Sequence, residues 1–470
     1  MERLSTLDAE FLHLEDDGAP MHIAGACLFD GEAPTLDEIR LLIASKLHRI
    51  PRYRQRIERV PLELGRPLWV DDASFDLADH VREVEVPAPG DDRTLRRLMG
   101  TVMAQRLPRD RPLWDALLVT GLRGDGPTWA LVFKVHHCMV DGIAGVQLLE
   151  ALLDVSPDAT VASPEPWEPK PEPGALDRVL DAWGGLVDDA GALAASAIGS
   201  VPALLRDPLG LPRSLGSMAG GLLQFARILP APRPASIEGS VGRGRVWAHS
   251  SASLEDVRAV RRSFGGTVND VVMAALSAGY RELLAAHGDD VEHLSVRSMV
   301  PVSVRRDDGQ GVPDNRVSTL VVELAVHEVD PVARLECMKE RLAAAKASNM
   351  AEVGEAVTTL GDVVLPAVVG SLSRLALRSE HLVPQRSINT VTTNVPGPQF
   401  PLYCLGRELV SYLPFVGISY GVRVSTAVLS YNGRLFFGVT GDRDTVPDVA
   451  RIADRAAAEI AELAALARSE

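Results

Sequence analysis

The stretch Trp129-Ala130-Leu131-Val132-Phe133-Lys134-Val135-His136-His137-Cys138-Met139-Val140-Asp141-Gly142 decides how this chain is read. Its first seven residues are rich in aliphatic and β-branched side chains, the pattern of a buried strand. Ile143-Ala144-Gly145-Val146-Gln147-Leu148-Leu149-Glu150-Ala151-Leu152-Leu153 then reads as a helix with an apolar stripe. Two histidines, an aspartate and a glycine therefore stand at a strand-to-helix junction, where a rigid scaffold presents reactive groups. Neighbouring side chains on extended backbone point to opposite faces, so only one imidazole faces a given pocket.

An imidazole is the side chain best suited to take a proton from a hydroxyl near neutral pH, a contribution of about 10² to 10⁴ in rate. Asp141 either holds the tautomer directly or pairs with a distant arginine and braces the loop. Gly142 permits backbone angles closed to other residues. A metal site is not expected, because the local ligands face different ways and no other His/Cys cluster has metal spacing.

The run His136-His137-x-x-x-Asp141-Gly142 resembles the active-site signature of the CoA-dependent acyltransferase superfamily, which includes chloramphenicol acetyltransferase and peptide-synthetase condensation domains. Further stretches resemble one group within it, the bacterial wax ester synthase/diacylglycerol acyltransferases. They are Leu4-Ser5-Thr6-Leu7-Asp8-Ala9-Glu10-Phe11-Leu12-His13-Leu14-Glu15 with Met21-His22, Arg111-Pro112-Leu113-Trp114, and Thr267-Val268-Asn269-Asp270-Val271-Val272. Asn394-Val395-Pro396-Gly397-Pro398 and Ser430-Tyr431-Asn432-Gly433 continue the series in order along almost the whole chain. The resemblance implies an α/β (α+β) fold of two chloramphenicol-acetyltransferase-like lobes with a reaction tunnel between them. It also implies an O-acyltransferase that moves a fatty acyl group from acyl-CoA to a diacylglycerol or a long-chain alcohol. Acyl-CoA is then a co-substrate, and no cofactor is expected.

Residue roles follow from the same resemblance. His137 is the general base and His136 a supporting scaffold residue. Asp141 is structural, with Arg305 as its candidate partner. Asn269, Asp270, Thr393 and Asn394 are candidates for shaping the substrate site. The bland alternative for Thr267, Asn269 and Asp270 is helix capping, since a helix is expected from Val268 to Leu284. Pro396 and Pro398 give a rigid turn whatever their neighbours do. Cys138 is read as a packing residue rather than a nucleophile. A condensation-type enzyme using carrier-bound acyl groups, or a non-catalytic lipid binder, is the alternative function.

At 470 residues the chain suggests two domains. Its composition, 46% hydrophobic and 24% charged, is globular. A net charge of −15 argues against a general nucleic-acid binder. The four cysteines are scattered without a CxxC pair, which fits a reduced, cytoplasmic setting. No signal-peptide pattern opens the sequence, and no apolar run reaches about 18 residues, so a soluble or peripheral protein is expected.

Residues 1–155 are expected to form a first lobe and 240–470 a second, with a Pro-rich linker and a helical connection over 156–239. Ser163-Pro164-Glu165-Pro166-Trp167-Glu168-Pro169-Lys170-Pro171-Glu172-Pro173 favours extended backbone. Within the second lobe, Val317-Ser318-Thr319-Leu320-Val321-Val322-Glu323-Leu324 reads as a strand. Between Leu204 and Trp247 six arginines stand against Asp207 and Glu238, with apolar runs among them. That segment either contacts an anionic membrane or lipid-droplet surface or covers the two lobes.

Gly417-Ile418-Ser419-Tyr420-Gly421 matches the esterase pattern G-x-S-x-G, but a nucleophile elbow needs a helix after the turn. The alternating residues from Val422 to Tyr431 read instead as a strand. No histidine follows His381 to complete a Ser-Asp-His order.

Overall fold

The apolar run at the heart of the sequence forms a strand, Trp129–His136, with all eight residues buried. The helix expected from Val268 runs Val268–Ala286, and the strand expected from Val317 runs Val317–Glu323. The computed structural model describes residues 2–61, 65–124, 126–139, 151–181, 234–303, 317–347 and 388–469.

The first part of the chain contains α1 (Thr6–Leu14), β1 (His22–Phe29), α2 (Leu36–Lys46), β2 (Gln55–Glu58) and β3 (Leu68–Asp71). It continues with β4 (Val81–Glu85), α3 (Asp92–Ala104), β5 (Trp114–Thr120) and β6 (Trp129–His136). The later part contains β7 (Arg245–Ser253), α4 (Leu254–Phe264), α5 (Val268–Ala286), β8 (Arg297–Ser303), β9 (Val317–Glu323) and α6 (Pro331–Ala347). Then come β10 (Thr390–Pro396), β11 (Tyr403–Cys404), β12 (Arg407–Phe415), β13 (Val424–Tyr431), β14 (Arg434–Asp442) and α7 (Ala450–Ser469).

These strands build two six-stranded mixed sheets and a small β2–β3 ribbon. The first sheet has the order β11-β12-β1-β6-β5-β4, the second β7-β14-β13-β10-β8-β9. Each lobe therefore rests on one sheet, but the lobes do not divide the chain at one point. Strands β11 and β12, from the C-terminal half, pair into the first sheet, with Ala26 opposite Leu413.

The second sheet carries its helices on one face. Helix α5 is apolar almost all round and buried from Asp270 through Tyr280, as a helix inside a core must be. Its Tyr280 hydroxyl reaches Thr390 Oγ1 at 2.5 Å and Thr426 Oγ1 at 3.1 Å on the sheet. The opposite face looks toward the first sheet: Trp247 Nε1 donates to the Pro414 carbonyl at 3.1 Å. Two glycines make that approach close. A Cβ at Gly438 would lie 1.8 Å from the Pro414 carbonyl oxygen, and one at Gly100 of α3 would lie 2.5 Å from that of Arg245.

The Pro-rich stretch has no regular secondary structure and is fastened to the first lobe. Trp167 lies 5.1 Å beneath the Arg54 guanidinium and edge-on to Phe75, and Arg56 pairs with Glu172 at 2.6 Å. Helical residues 175–181 follow; residues 204–233 of the arginine-rich segment lie outside the described residues. Of its later arginines, Arg243 is exposed and pairs with Asp17 at 3.1 Å. Arg245 is buried, and its guanidinium donates to the carbonyls of Gly18, Gly242 and Gly244.

Candidate active site

β6 ends at His136, and the turn after it carries His137, Cys138 and Met139. The strand end is held from both sides. His136 N donates to Leu113 O at 2.9 Å, and His137 N donates to Met21 O at 2.8 Å. Leu113 belongs to the Arg-Pro-Leu-Trp stretch. The neighbouring Trp114 stacks on His80 at 4.5 Å and donates to Tyr53 O at 2.9 Å. That stretch thus anchors the strand beside the histidines.

The two imidazoles have different surroundings. His136 is 1% exposed, and its Nδ1 accepts from Cys138 N–H at 3.2 Å. An accepting Nδ1 places the ring proton on Nε2, which faces Glu15 Oε1 at 3.6 Å. Burial pushes the His136 pKa down against the pull of Glu15, so the neutral ring is favoured. His137 is half-buried and stacks on Phe11 of α1, with centroids 4.1 Å apart and planes 24° off parallel. Cys138 is buried among Leu4, Leu12, Trp69 and Leu113, and desolvation raises its thiol pKa well above the usual value. A thiol in that state is packing, as the sequence suggests.

Glu15 is a hub that the sequence does not single out. Its Oε2 accepts from Arg109 at 2.6 Å and from Arg106 at 3.1 Å, and its Oε1 accepts from Met21 N at 3.2 Å. Burial alone would raise its pKa, but His136 and Arg109 hold the carboxyl well below the usual carboxylate range. The chain Glu15–Met21–His137 fixes the backbone of His137 through two successive hydrogen bonds. Arg106 and Arg109 lie 91 and 94 positions from Glu15 in the chain, so no local pattern announces the pairing. The nearest sequence signal is the Arg106-x-x-Arg109 pair beside the Arg-Pro-Leu-Trp stretch.

On the same strand, Lys134 is buried and donates to the carbonyls of Val102 and Gln105 at the end of α3. His22, directly opposite His136, contacts Met103 O at 3.1 Å. Both side chains satisfy carbonyls that a helix C-terminus leaves open. Desolvation draws the Lys134 pKa down to about 8.

The second lobe supplies the other candidates. Thr267 caps α5, with Thr267 N donating to Asp270 Oδ2 at 2.6 Å and Asp270 N to Thr267 Oγ1 at 3.3 Å. Asp270 is thus engaged in a capping box. Asn269 and Asn394 meet: Asn394 Nδ2 donates to Asn269 Oδ1 at 3.3 Å. Thr393 and Asn394 lie on opposite faces of β10. Asn394 shares the helix-covered face with Thr392 and Thr390; Thr393 shares the seam face with Val391 and Val395. Asp141, Gly142 and Arg305 lie outside the described residues.

Gly417-Ile418-Ser419-Tyr420-Gly421 forms the connection between β12 and β13, and a strand, not a helix, comes after it. Gly417, Ser419 and Tyr420 border a cavity of about 160 Å³ together with Met299, Ile388, Val391, Val422 and Ser425. A Cβ on Gly417 would stand 3.3 Å from Pro20 O and 3.5 Å from His22 O. The cavity wall therefore touches the same Pro20–His22 segment whose Met21 binds His137. Among the described residues no group of three or more His, Cys, Asp or Glu could hold a metal ion. Among them, too, no helix is long and apolar enough to cross a membrane.

Two family models match the sequence: wax ester synthase/diacylglycerol acyltransferase catalytic domain over residues 4–272, and WS/DGAT C-terminal domain over residues 314–464. A Mycobacterium tuberculosis protein named as a probable diacylglycerol O-acyltransferase is 34% identical over 475 residues, covering 100% of this chain and 97% of that protein. The solved wax ester synthase/diacylglycerol acyltransferase of Marinobacter aquaeolei VT8 superposes with a TM-score of 0.66 at 26% identity, covering 99% of this chain and 100% of its own. The starter condensation domain of rhizomide synthetase, solved with C8-CoA, gives a TM-score of 0.55 at 14% identity over 99% and 95% of the two chains. That last likeness concerns the fold alone.

Proposed function

The chain belongs to the wax ester synthase/diacylglycerol acyltransferase family and is an acyl-CoA-dependent O-acyltransferase of lipid alcohols, and from that premise we propose how its residues carry the transfer. His137 takes the proton of the acceptor hydroxyl as the oxygen attacks the thioester carbonyl. A C–O bond forms, the tetrahedral intermediate collapses with loss of the C–S bond, and His137 returns the proton to the CoA sulfur. No acyl-enzyme intervenes. The acceptor is a diacylglycerol or a long-chain alcohol.

The observation that carries this assignment is the contrast between the two rings. The Nδ1 lone pair of His136 is taken by Cys138 N–H and its Nε2 side faces Glu15, so it has no basic nitrogen to offer. His137 is half-buried at the mouth of the strand, with its backbone fixed by Met21. A preorganised donor to the oxyanion contributes about 2.7 to 4 kcal/mol. Thr393, on the seam face of β10, is the donor we assign to it. Asn269, held by Asn394 on the opposite face, is left a role in shaping the site. For Asp141 the proposed role is structural, with Arg305 as its candidate partner; both lie outside the described residues. Arg243 and Arg245 are engaged within the fold, so a lipid-surface role for the arginine-rich segment falls to residues 204–233, which flotation with anionic vesicles tests.

The decisive assay is thiol release from palmitoyl-CoA with hexadecanol, with dioleoylglycerol and without acceptor, beside a His137→Ala variant. Release that requires both acceptor and His137 is expected, with a loss of about 10² to 10⁴ in the variant. Full activity in folded His137→Ala would sink the mechanism. Release without acceptor would make the protein a hydrolase.

A further inference from the structure

The seam face of the second sheet carries a row of directly opposed residues: Met299, Val391, Ser425, Thr440 and Trp247. Opposed residues share a face, and Trp247 points toward Pro414 of the first sheet, so the row faces the other lobe. Met299, Val391 and Ser425 line the cavity. Ser425 is 1% exposed and Thr440 fully buried, yet neither Ser425 Oγ nor Thr440 Oγ1 has a hydrogen-bond partner among the described residues. Buried hydroxyls are ordinarily paired, and an unpaired one is costly. Two side by side, in a row otherwise of apolar and aromatic side chains, mark a place where something else supplies an acceptor atom.

We propose that Ser425, which lines the cavity with Thr440 directly opposed to it in the sheet, forms a station for the ester carbonyl of a glyceride acceptor, donating a hydrogen bond to an oxygen that fatty alcohols lack. This rests on the acyltransferase reading and adds the substrate class. The cavity is smaller than the roughly 300–1,000 Å³ of pockets that enclose whole drug-sized ligands, so it seats a fragment and not an acyl chain pair. Its lining includes none of residues 136–139, which suits a spectator carbonyl rather than the reacting thioester. Gly417 of its wall lies against the Pro20–His22 segment, whose Met21 carbonyl accepts from His137 N, so the cavity and the general base are built on one segment. Sites built to hydrogen-bond a substrate group discriminate against analogues without it, because their own polar groups are then left unpaired.

The test uses the full chain with palmitoyl-CoA and three acceptors: dioleoylglycerol, its diether analogue with no carbonyl, and hexadecanol. The wild type should prefer diester to diether by about tenfold in kcat/KM, the value of about one hydrogen bond. In Ser425→Ala/Thr440→Val that preference should fall to about one, and the diester-to-hexadecanol ratio should drop by the same factor. The melting temperature should not fall, since removing unpaired buried hydroxyls costs nothing in the empty site. A wild type indifferent to the carbonyl, or a double variant that keeps the preference, overturns the station. A parallel loss on all three acceptors would assign the hydroxyls to the acyl donor and equally overturn it. Should none of the acceptors be acylated, the acyltransferase reading fails by itself. The station is then judged by binding: diester and diether raising the melting temperature equally, in wild type and variant alike, would reject it.

Discussion

At the scale of single residues, Glu15 has the most consequences for its size. It is 8% exposed and ties His136, Arg106, Arg109 and the Met21 backbone together. In Glu15→Gln the charge-assisted bonds are lost, which should cost about 1–3 kcal/mol of stability and lower turnover through the Met21–His137 contact. Thermal melts and palmitoyl-CoA kinetics read the two effects. The carboxyl has a folded pKa well below its ordinary 4.5, so the unfolded chain binds the extra proton as pH falls. Its contribution is fully present above about pH 4.5 and is lost below it, so stability rises with pH in that window. Glu15→Gln should flatten that part of the acid limb; an unchanged limb would mean other carboxylates govern it. His136 is legible from a continuous apolar run that fixes a buried strand, whereas His137 and Cys138 stand in the turn beyond it, where alternation no longer applies. Glu15 is not legible, because its side-chain partners lie in two distant segments and ion pairing leaves no periodic trace.

At the scale of elements, helix α5 and strand β10 show what local pattern can and cannot give. The boundaries of α5 follow from its apolar run and its capping residues, and the structure ends it at Ala286, just beyond the expected Leu284. Thr267→Ala removes the cap and should cost about 1 kcal/mol, seen as a lower urea midpoint with an unchanged slope. A larger loss accompanied by loss of activity would give the cap a part in shaping the site through Asn269. Asn394 and Asn269 each stand out in the sequence, but their hydrogen bond joins a strand to a helix start 125 residues away. Alternation along β10 separates Thr393 from Asn394, so the candidate residues of this lobe serve two faces of one sheet. The turn 417–421 satisfies an esterase pattern in letters only. It leads into β13, whose Ser425 borders the cavity.

At the scale of the whole molecule, sequence gives the two lobes through their strands but not which sheet each strand joins. Nothing in Arg407-Glu408-Leu409-Val410-Ser411-Tyr412-Leu413-Pro414-Phe415 says that it pairs with β1 rather than with its neighbours β10 and β13. That exchange, with Trp247 and Gly438 packed on Pro414, makes the lobes one cooperative unit. A fragment of residues 1–239 should therefore fail to fold alone, whereas co-expression with residues 240–470 should restore a soluble complex. Urea unfolding of the intact chain should give coincident transitions by tryptophan fluorescence and circular dichroism. A well-folded, independently melting fragment 1–239 would contradict this.

The placement of β12 also bears on how the protein is made. Strand β1 lies between β6 and β12, so while the ribosome is still short of residue 415 the histidine-bearing sheet ends in a bare, largely apolar edge. Domains usually fold N-terminal first during synthesis, and an unpaired edge strand is a template for aggregation. Most of the polypeptide must emerge before that edge is closed. Nascent chains halted before residue 407 should need a chaperone that those halted well past it do not, and yields in a foreign host should track chaperone supply more than promoter strength.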